Sequence, residues 1–382
     1  MNIAILHSGD LKNVSLGGVD RYIKSLILFS KDNEITVFGT TRVGEHKVGE
    51  EYQKVYCGKK YKFIPISTDK NRPLSVFYMV NEIKWVNKLG NYDCIYAQRT
   101  EYSLPFLFSK NKKKLIEMIH GSSKYSDVFF TKNVAKVHLL MEKLAISIAA
   151  RTFIILNRKE FGVPYYKKKY PKYAARILYG RNPIDTSIYK KQDKVESRKL
   201  LNLKQDEFVV LFSGRVEHSP KRVLLFPDIC RSIVDKGIKL QFVVIGEGST
   251  RQDLINKIKD YNLSEYFILP GYIDDPKLIS LYNNAADITI NISMFEGTCT
   301  SNLEAIACGV PVVSTDVGDI NECIFDGENG AIINNGADEI IIKDAVNAII
   351  DIYNIPPSMN KIYMKYDGKV VMEDLKHIIS LL

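Results

Sequence analysis

Short runs of buried-strand character alternate with amphipathic helix patterns along the chain, and that rhythm predicts an α/β protein. Three observations carry the prediction. The opening reads strand, glycine-bearing loop, helix: Asn2–Leu6, then Leu16-Gly17-Gly18-Val19-Asp20, then an apolar periodicity from Asp20 to about Ser30. The same rhythm restarts at Phe208. A length of 382 residues suits two domains of ordinary size.

The first half continues in order. Glu34–Phe38, Phe63–Ile66, Cys94–Ala97 and Leu115–Ile119 read as strands, with helix patterns at 74–89 and 101–109. His120-Gly121 ends the fifth strand run. Parallel sheets bind ligands at the carboxyl ends of their strands, so His120 stands at a ligand-binding edge. A lone histidine there also suits a purely structural role. A helix pattern spans 132–150, Phe153–Leu156 is a further strand, and Tyr165–Arg176 reads as a basic, mobile-looking stretch. From Ile177 the character changes; Asn182-Pro183 and the charged run Lys190–Lys199 read as an interdomain connection.

In the second half, Phe208–Phe212 ends in Ser213-Gly214-Arg215, and Lys221 precedes a helix pattern at 223–236. Gln241–Ile245 ends in Gly246-Glu247-Gly248, ahead of a helix at 250–261. Tyr266–Leu269 leads into Gly271-Tyr272-Ile273, and a helix follows at 276–284. The next unit organises the rest. Its strand is Ala286–Ile292, and its helix runs through Leu303–Cys308 until Gly309 and Pro311 end it. Val312-Val313-Ser314 is the next buried strand, and Ala331–Ile333 and helices at 338–353 and 368–382 close the chain. The loop between strand and helix carries Gly297, Thr298, Thr300, Ser301 and Asn302 into a helix N-terminus. Free backbone N–H groups and the positive end of a helix dipole suit a phosphate there. Glu296 at the strand end and Glu304 inside the helix could reach the same crevice. The same residues also suit a capped helix with one solvated and one part-buried glutamate.

Composition narrows the class. The chain is 46% hydrophobic and 25% charged, as in a globular protein, and no apolar run reaches membrane-spanning length. Six scattered cysteines without C-x-x-C suggest a reducing cytoplasm and no structural zinc. Cys299, in the central loop, reads as buried filler rather than a nucleophile. Residues 1–180 carry 31 Lys and Arg against 15 Asp and Glu, a net +16; residues 181–382 carry 22 against 29, a net −7. Such asymmetry points to an acidic partner for the first half. Basic–aromatic clusters at Lys59–Lys62, Lys110–Lys114 and Tyr165–Tyr170 suit either an anionic membrane surface or an ordinary lysine-rich face. No nucleic-acid-binding signature is present.

Arg215 and Lys221 supply two cations beside a helix N-terminus, which together make a diphosphate site with no visible metal-ligand set. Glu296 and Glu304 remain as hydroxyl acceptors, and that combination fits a nucleotide-sugar. These residues, with Gly246-Glu-Gly248, Gly271-Tyr, Leu281-Tyr, Leu303-Glu-Ala-Ile-Ala-Cys-Gly-Val-Pro-Val-Val-Ser314 and Asn329-Gly330, resemble the retaining GT-B glycosyltransferases of glycosyltransferase family 4, glycosyl transferases group 1. The likeness is most specific from about 205 to 333 and covers nearly the whole chain.

The resemblance implies two Rossmann-like domains facing across a cleft: residues 1–182 with 366–382, binding the acceptor, and residues 183–365, binding the donor. It implies that Arg215 and Lys221 bind and stabilise the leaving diphosphate, that Glu296 contacts the donor sugar and that Glu304 contacts the ribose. The Arg215–Lys221 spacing is one residue longer than usual, so Arg222 is the alternative second cation. Backbone donors from Gly297 to Leu303 would hold sugar and phosphate. Gly214 and Gly246 would line the site, Tyr272 and Ile273 would flank the base, Gly17 and Gly18 would border the phosphates, and His120 would lie near the reacting carbon. The expected reaction is metal-independent transfer, with retention, from a nucleotide-diphosphate sugar, UDP- ahead of GDP- or ADP-. The expected acceptor is a glycan, lipid-linked at the inner face of a membrane, in surface polysaccharide or lipopolysaccharide assembly. No cofactor, metal or nucleic-acid partner is expected. A nucleotide-sugar epimerase of the same fold and a non-catalytic sugar-nucleotide-binding subunit are the alternatives.

Overall fold

The computed structural model describes residues 1–9, 11, 18–30, 33–70, 73–122, 131–359 and 362–380. The chain divides into two units, Met1–Pro183 with Gly368–Leu382, and Ile184–Asp367. Each is a parallel-sheet, Rossmann-like domain. The boundaries expected from the sequence are 182/183 and 365/366.

The first unit is built on an eight-stranded sheet ordered β3-β4-β2-β1-β5-β6-β7-β8. Its strands are β1 (Asn2–Leu6), β2 (Glu34–Thr41), β3 (Tyr52–Tyr56), β4 (Lys59–Thr68), β5 (Cys94–Ala97), β6 (Leu115–Ile119), β7 (Arg151–Ile154) and β8 (Ile177–Tyr179). All neighbours pair parallel except β3 and β4, a hairpin turned by Cys57 and Gly58, both at positive φ. Helices α1 (Gly18–Phe29), α2 (Leu74–Glu82), α3 (Lys132–Ile148) and α4 (Val163–Lys169) cover it. The near-continuous apolar runs of β1 and β5 follow from burial on both faces.

Several expectations for this half are corrected. The 101–109 helix is a 3-10 turn, Thr100–Phe106, with Pro105 inside it. The 74–89 helix ends at Glu82. Tyr165–Arg176 is no loose stretch: α4 turns Tyr166 and Tyr170 inward, where their hydroxyls donate to Glu142 on α3 at 3.1 and 2.7 Å. Ile177–Tyr179 is an edge strand of the sheet rather than the start of a connection. Tyr61, Tyr166 and Tyr170 are buried core residues, and Tyr165 is half-buried against them.

The second unit has a six-stranded parallel sheet ordered β11-β10-β9-β12-β13-β14. Its elements are α5 (Lys194–Leu200), β9 (Phe208–Ser213), α6 (Phe226–Val234), β10 (Leu240–Ile245), α7 (Arg251–Asp260), β11 (Phe267–Gly271), α8 (Pro276–Ala285), β12 (Ile288–Asn291), α9 (Thr300–Ala307), β13 (Val312–Thr315), β14 (Gly330–Ile333) and α10 (Asp338–Asn354). Gly309, at φ +77°, ends α9 in the left-handed conformation that closes helices. The charged run Lys190–Lys199 is not a linker. It contains most of α5, whose buried Arg198 donates to the carbonyls of Ala285 and Gln205 and pairs with Asp287. The last helix, α11 (Gly368–Ser380), packs on α1 of the first unit through Met372, Leu375 and Ile379.

Candidate active site

Strand order reverses in the second sheet at β9, which has β10 on one side and β12 on the other. An open parallel sheet presents its ligand crevice at such a reversal, beyond the strand C-termini. The loops after β9 and β12 leave from this point, and they bring Lys221 and Glu296 together. Lys221 Nζ donates to Glu296 Oε1, both side chains being largely shielded from solvent. Burial alone would push the Lys221 ammonium down. The Glu296 carboxylate and the direct hydrogen bond to it outweigh burial and hold the lysine above its usual value, so it remains charged. The pair is tied across the loops by Met294 N–H donating to Pro220 O at 2.8 Å.

Arg222, the alternative cation, is spent elsewhere. It sits at φ +51°, buried, and its guanidinium donates to Ile292 O at 3.2 Å and Asn335 Oδ1 at 2.8 Å. Arg215 is part-exposed and lies 3.1 Å from Glu217, and its charge is close enough to oppose that of Lys221. Two cations therefore share this sheet edge.

Glycines let the loops cross. Gly214 N–H donates to Ile245 O, and Gly246 N–H to Gly271 O. Gly246 lies at φ +137°, where a Cβ would sit 1.8 Å from Gly214 O. Tyr272 donates to Asp274 Oδ1 at 2.9 Å, and Ile273 packs on the buried cluster between β9 and α9.

The Glu296–Glu304 stretch becomes a turn and the first half of α9. The N-cap is Cys299, which makes no side-chain capping bond. The first-turn N–H groups of Asn302 and Leu303 reach back to Cys299 O at 3.2 and 3.4 Å. Gly297 is half-buried, as is Thr300; Thr298, Ser301, Asn302, Leu303 and Glu304 are buried. Both polar atoms of the Asn302 side chain lack a hydrogen-bond partner among the described residues. Asn291 Nδ2 donates to Cys299 Sγ at 3.0 Å, and Ser293 Oγ donates to Asn291 Oδ1 at 2.7 Å, which anchors the loop to β12. Burial, reinforced by Glu296, raises the Cys299 thiol, so it is neutral and a poor nucleophile. Among the described residues no three His, Cys, Asp or Glu side chains gather in a way that could hold a metal ion.

The first unit has its own cluster where its strand order reverses, between β1 and β5. His120, just past β6, is hydrogen-bonded to Gln98 Oε1 at 2.8 Å and meets the Tyr22 ring edge-on at 5.5 Å. Burial, with the nearby His7 and Arg99, pushes its imidazole down to about 3. His7, directly after β1, places Nε2 2.7 Å from Asp20 Oδ1 on α1, and both are buried. Tyr22 and Tyr96 share a 2.6 Å hydroxyl contact beneath them. The sequence reading singled out His120 but missed the His7–Asp20 pair. The signal available was a histidine at the first strand's end with an acid opening the next helix. Gly18 opens α1; Gly17 lies outside the described residues.

Residues 193–365 match the family described as glycosyl transferases group 1. That span covers most of the second unit. The 2-deoxystreptamine N-acetyl-D-glucosaminyltransferase of Niallia circulans is 26% identical over 304 residues, 74% of this chain and 77% of that protein. The UDP-Gal:alpha-D-GlcNAc-diphosphoundecaprenol alpha-1,3-galactosyltransferase of Escherichia coli is 28% identical over 194 residues, 45% of this chain and 49% of that one. Several D-inositol 3-phosphate glycosyltransferases align over only 40–42% of their own length. Among solved structures, Anabaena Alr3699/HepE in complex with UDP-glucose covers 100% of both chains at 17% identity, with a TM-score of 0.71. The fold is that of the GT-B glycosyltransferases, and the family match and the relatives support a transferase.

Proposed function

We propose that the chain is a retaining glycosyltransferase that moves a sugar from a nucleotide-diphosphate sugar to a glycan hydroxyl without a metal. The observation that carries this reading is the Lys221–Glu296 pair at the strand-order reversal of the second sheet, beside the uncapped start of α9. In this reading Lys221 and Arg215 take the charge that builds on the leaving diphosphate, which places fixed cations where negative charge develops. Glu296, oriented by Lys221, accepts from donor-sugar hydroxyls. Glu304 accepts from the ribose, and the first turn of α9 donates to phosphate and sugar. Gly214 and Gly246 let the backbone come close, and Tyr272 and Ile273 flank the base. The acceptor oxygen bonds to the anomeric carbon on the face from which the diphosphate leaves, and its proton passes to a departing phosphate oxygen. His120 is held neutral by burial. Positioning then supplies most of the acceleration.

UDP is the favoured nucleotide, because one relative and several solved neighbours are named for UDP or a UDP-linked donor. A lipid-linked glycan at the inner face of a membrane, in surface polysaccharide or lipopolysaccharide assembly, is the acceptor this reading takes. Among the described residues no helix is long and apolar enough to cross a membrane.

Thermal-shift titration with UDP-, GDP- and ADP-sugars, without metal, tests the site. One nucleotide-sugar should raise the melting temperature of the wild type, and Glu304→Ala should lose that rise. No shift with any donor in a folded protein would overturn the reading. Conversion of the donor sugar with no acceptor present would point instead to an epimerase.

A further inference from the structure

Helix α2, the 3-10 turn at 100–106 and helix α3 pack side by side on one face of the first sheet. Their inner faces fill the core, with Tyr78, Tyr102, Phe106 and Ile148 buried. Their outer faces are apolar as well. In and just after α2, Val76, Phe77, Val80 and Ile83 are exposed, Ile83 to 60%. Along α3, Val134, Val137, Leu140 and Leu144 form an exposed stripe at spacings of three and four. Between the helices stand Leu107 and Phe108, the latter 95% exposed. An exposed apolar patch of this kind marks a candidate interaction site.

The charges around the patch say what covers it. Lys84 and Lys88 follow α2, Lys112 and Lys113 follow Phe108, and Lys136 and Lys143 stand on the outer face of α3, all exposed. The acids of α2 and α3, Glu82 and Glu142, are both buried inward. The outer layer thus offers apolar groups and lysines with no opposing carboxylate from either helix.

We propose that this face docks on an anionic phospholipid bilayer. Phe108 and the outward Val and Leu side chains enter the boundary between headgroups and acyl chains, while the lysines engage lipid phosphates. The proposal deepens the reading of a membrane-borne acceptor and rests on it for its purpose. It places the contact on this apolar face, with Lys112 and Lys113 of one basic cluster, rather than on the buried Tyr61, Tyr166 and Tyr170.

Co-sedimentation of the full chain with vesicles tests it, using phosphatidylglycerol–phosphatidylethanolamine vesicles against phosphatidylcholine alone, without donor. The wild type should bind the anionic vesicles and lose them at high salt. Phe108→Asp with Leu140→Asp should cut the bound-to-free ratio about tenfold or more. Lys136→Glu with Lys143→Glu should cut it by about fivefold for each lysine. Lys59→Glu with Lys60→Glu, at the start of β4, should change it less than about twofold. Unchanged melting temperatures would show that the variants fold. The proposal is overturned by a wild type that ignores anionic vesicles, by apolar variants that bind as the wild type does, or by equal loss in the Lys59 and Lys60 variant. It is also overturned by a wild type that ignores vesicles but self-associates until Phe108→Asp and Leu140→Asp separate it. Since no donor is present, a failed donor titration would sink the transferase reading and leave this result standing.

Discussion

Lys221 and Arg222 are neighbours with opposite fates. Lys221 faces Glu296, whereas Arg222 is bonded to carbonyl and amide oxygens. Lys221→Met should therefore abolish donor-induced stabilisation. Arg222→Met should lower stability by about 3 kcal/mol, because it leaves buried oxygens without their charged donor, yet keep a donor shift at low temperature. Melting curves with and without nucleotide-sugar separate the two. Sequence spacing had left both open, because it does not reveal which way consecutive side chains point once the backbone takes φ +51°. Titration gives a second check. Burial, with His7 and Arg99, depresses His120 to about 3, so below pH 6.5 the unfolded chain binds the extra proton. Its contribution to stability is complete above about 6.5 and is lost as pH falls toward 3. Glu117 behaves oppositely: burial, with Glu142 nearby, holds its carboxyl well above the usual range. Its protonated form costs stability increasingly as pH rises past the unfolded value, at about 1.4 kcal/mol per pH unit until the folded group ionises. Glu117→Gln should raise the melting temperature more at pH 8 than at pH 5. An equal effect at both pH values would contradict a neutral Glu117.

The strand–loop–helix rhythm was legible because period-2 and period-3.6 patterns survive wherever one face meets the core. It failed where charge hid the pattern. Lys167, Lys168 and Lys169 obscured the inward pair Tyr166, on α4, and Tyr170, just past its end. The buried Arg198 made α5 read as a linker, although its guanidinium is satisfied by carbonyls. The hairpin strand β3 went unseen because Cys57-Gly58 is an unusual pair for a two-residue turn. Glycines at the loop crossings were legible as residues but not as constraints. Gly318, at φ +53°, would place a Cβ 2.0 Å from Gly297 O, so the loop after β13 is pressed against the loop after Glu296. Gly318→Ala should cost about 2 kcal/mol or more and displace Gly297. The donor shift should shrink along with the melting temperature. Full donor binding in that variant would mean the two loops move independently.

The two units differ in how the chain makes them. The second is one continuous segment, Ile184–Asp367, with its own sheet and cores. The first needs both ends of the chain, because α11 covers α1. Four side chains of α11, Val371, Met372, Leu375 and Ile379, are buried. Burying each contributes about 1.5–3 kcal/mol, so losing α11 costs roughly 6–12 kcal/mol, comparable to the whole stability of a domain. That magnitude decides the outcome of truncation. A chain stopped at Asp367 should keep a cooperative transition for the second unit and lose that of the first. Residues 184–367 alone should fold and retain the nucleotide-induced rise, since Lys221, Glu296 and α9 all lie within them. Calorimetry of the full chain, the truncated chain and the isolated segment would show two transitions, one and one. If the isolated segment folds but ignores every nucleotide, donor binding requires residues of the first unit, and His120 and the His7–Asp20 pair become the first positions to change.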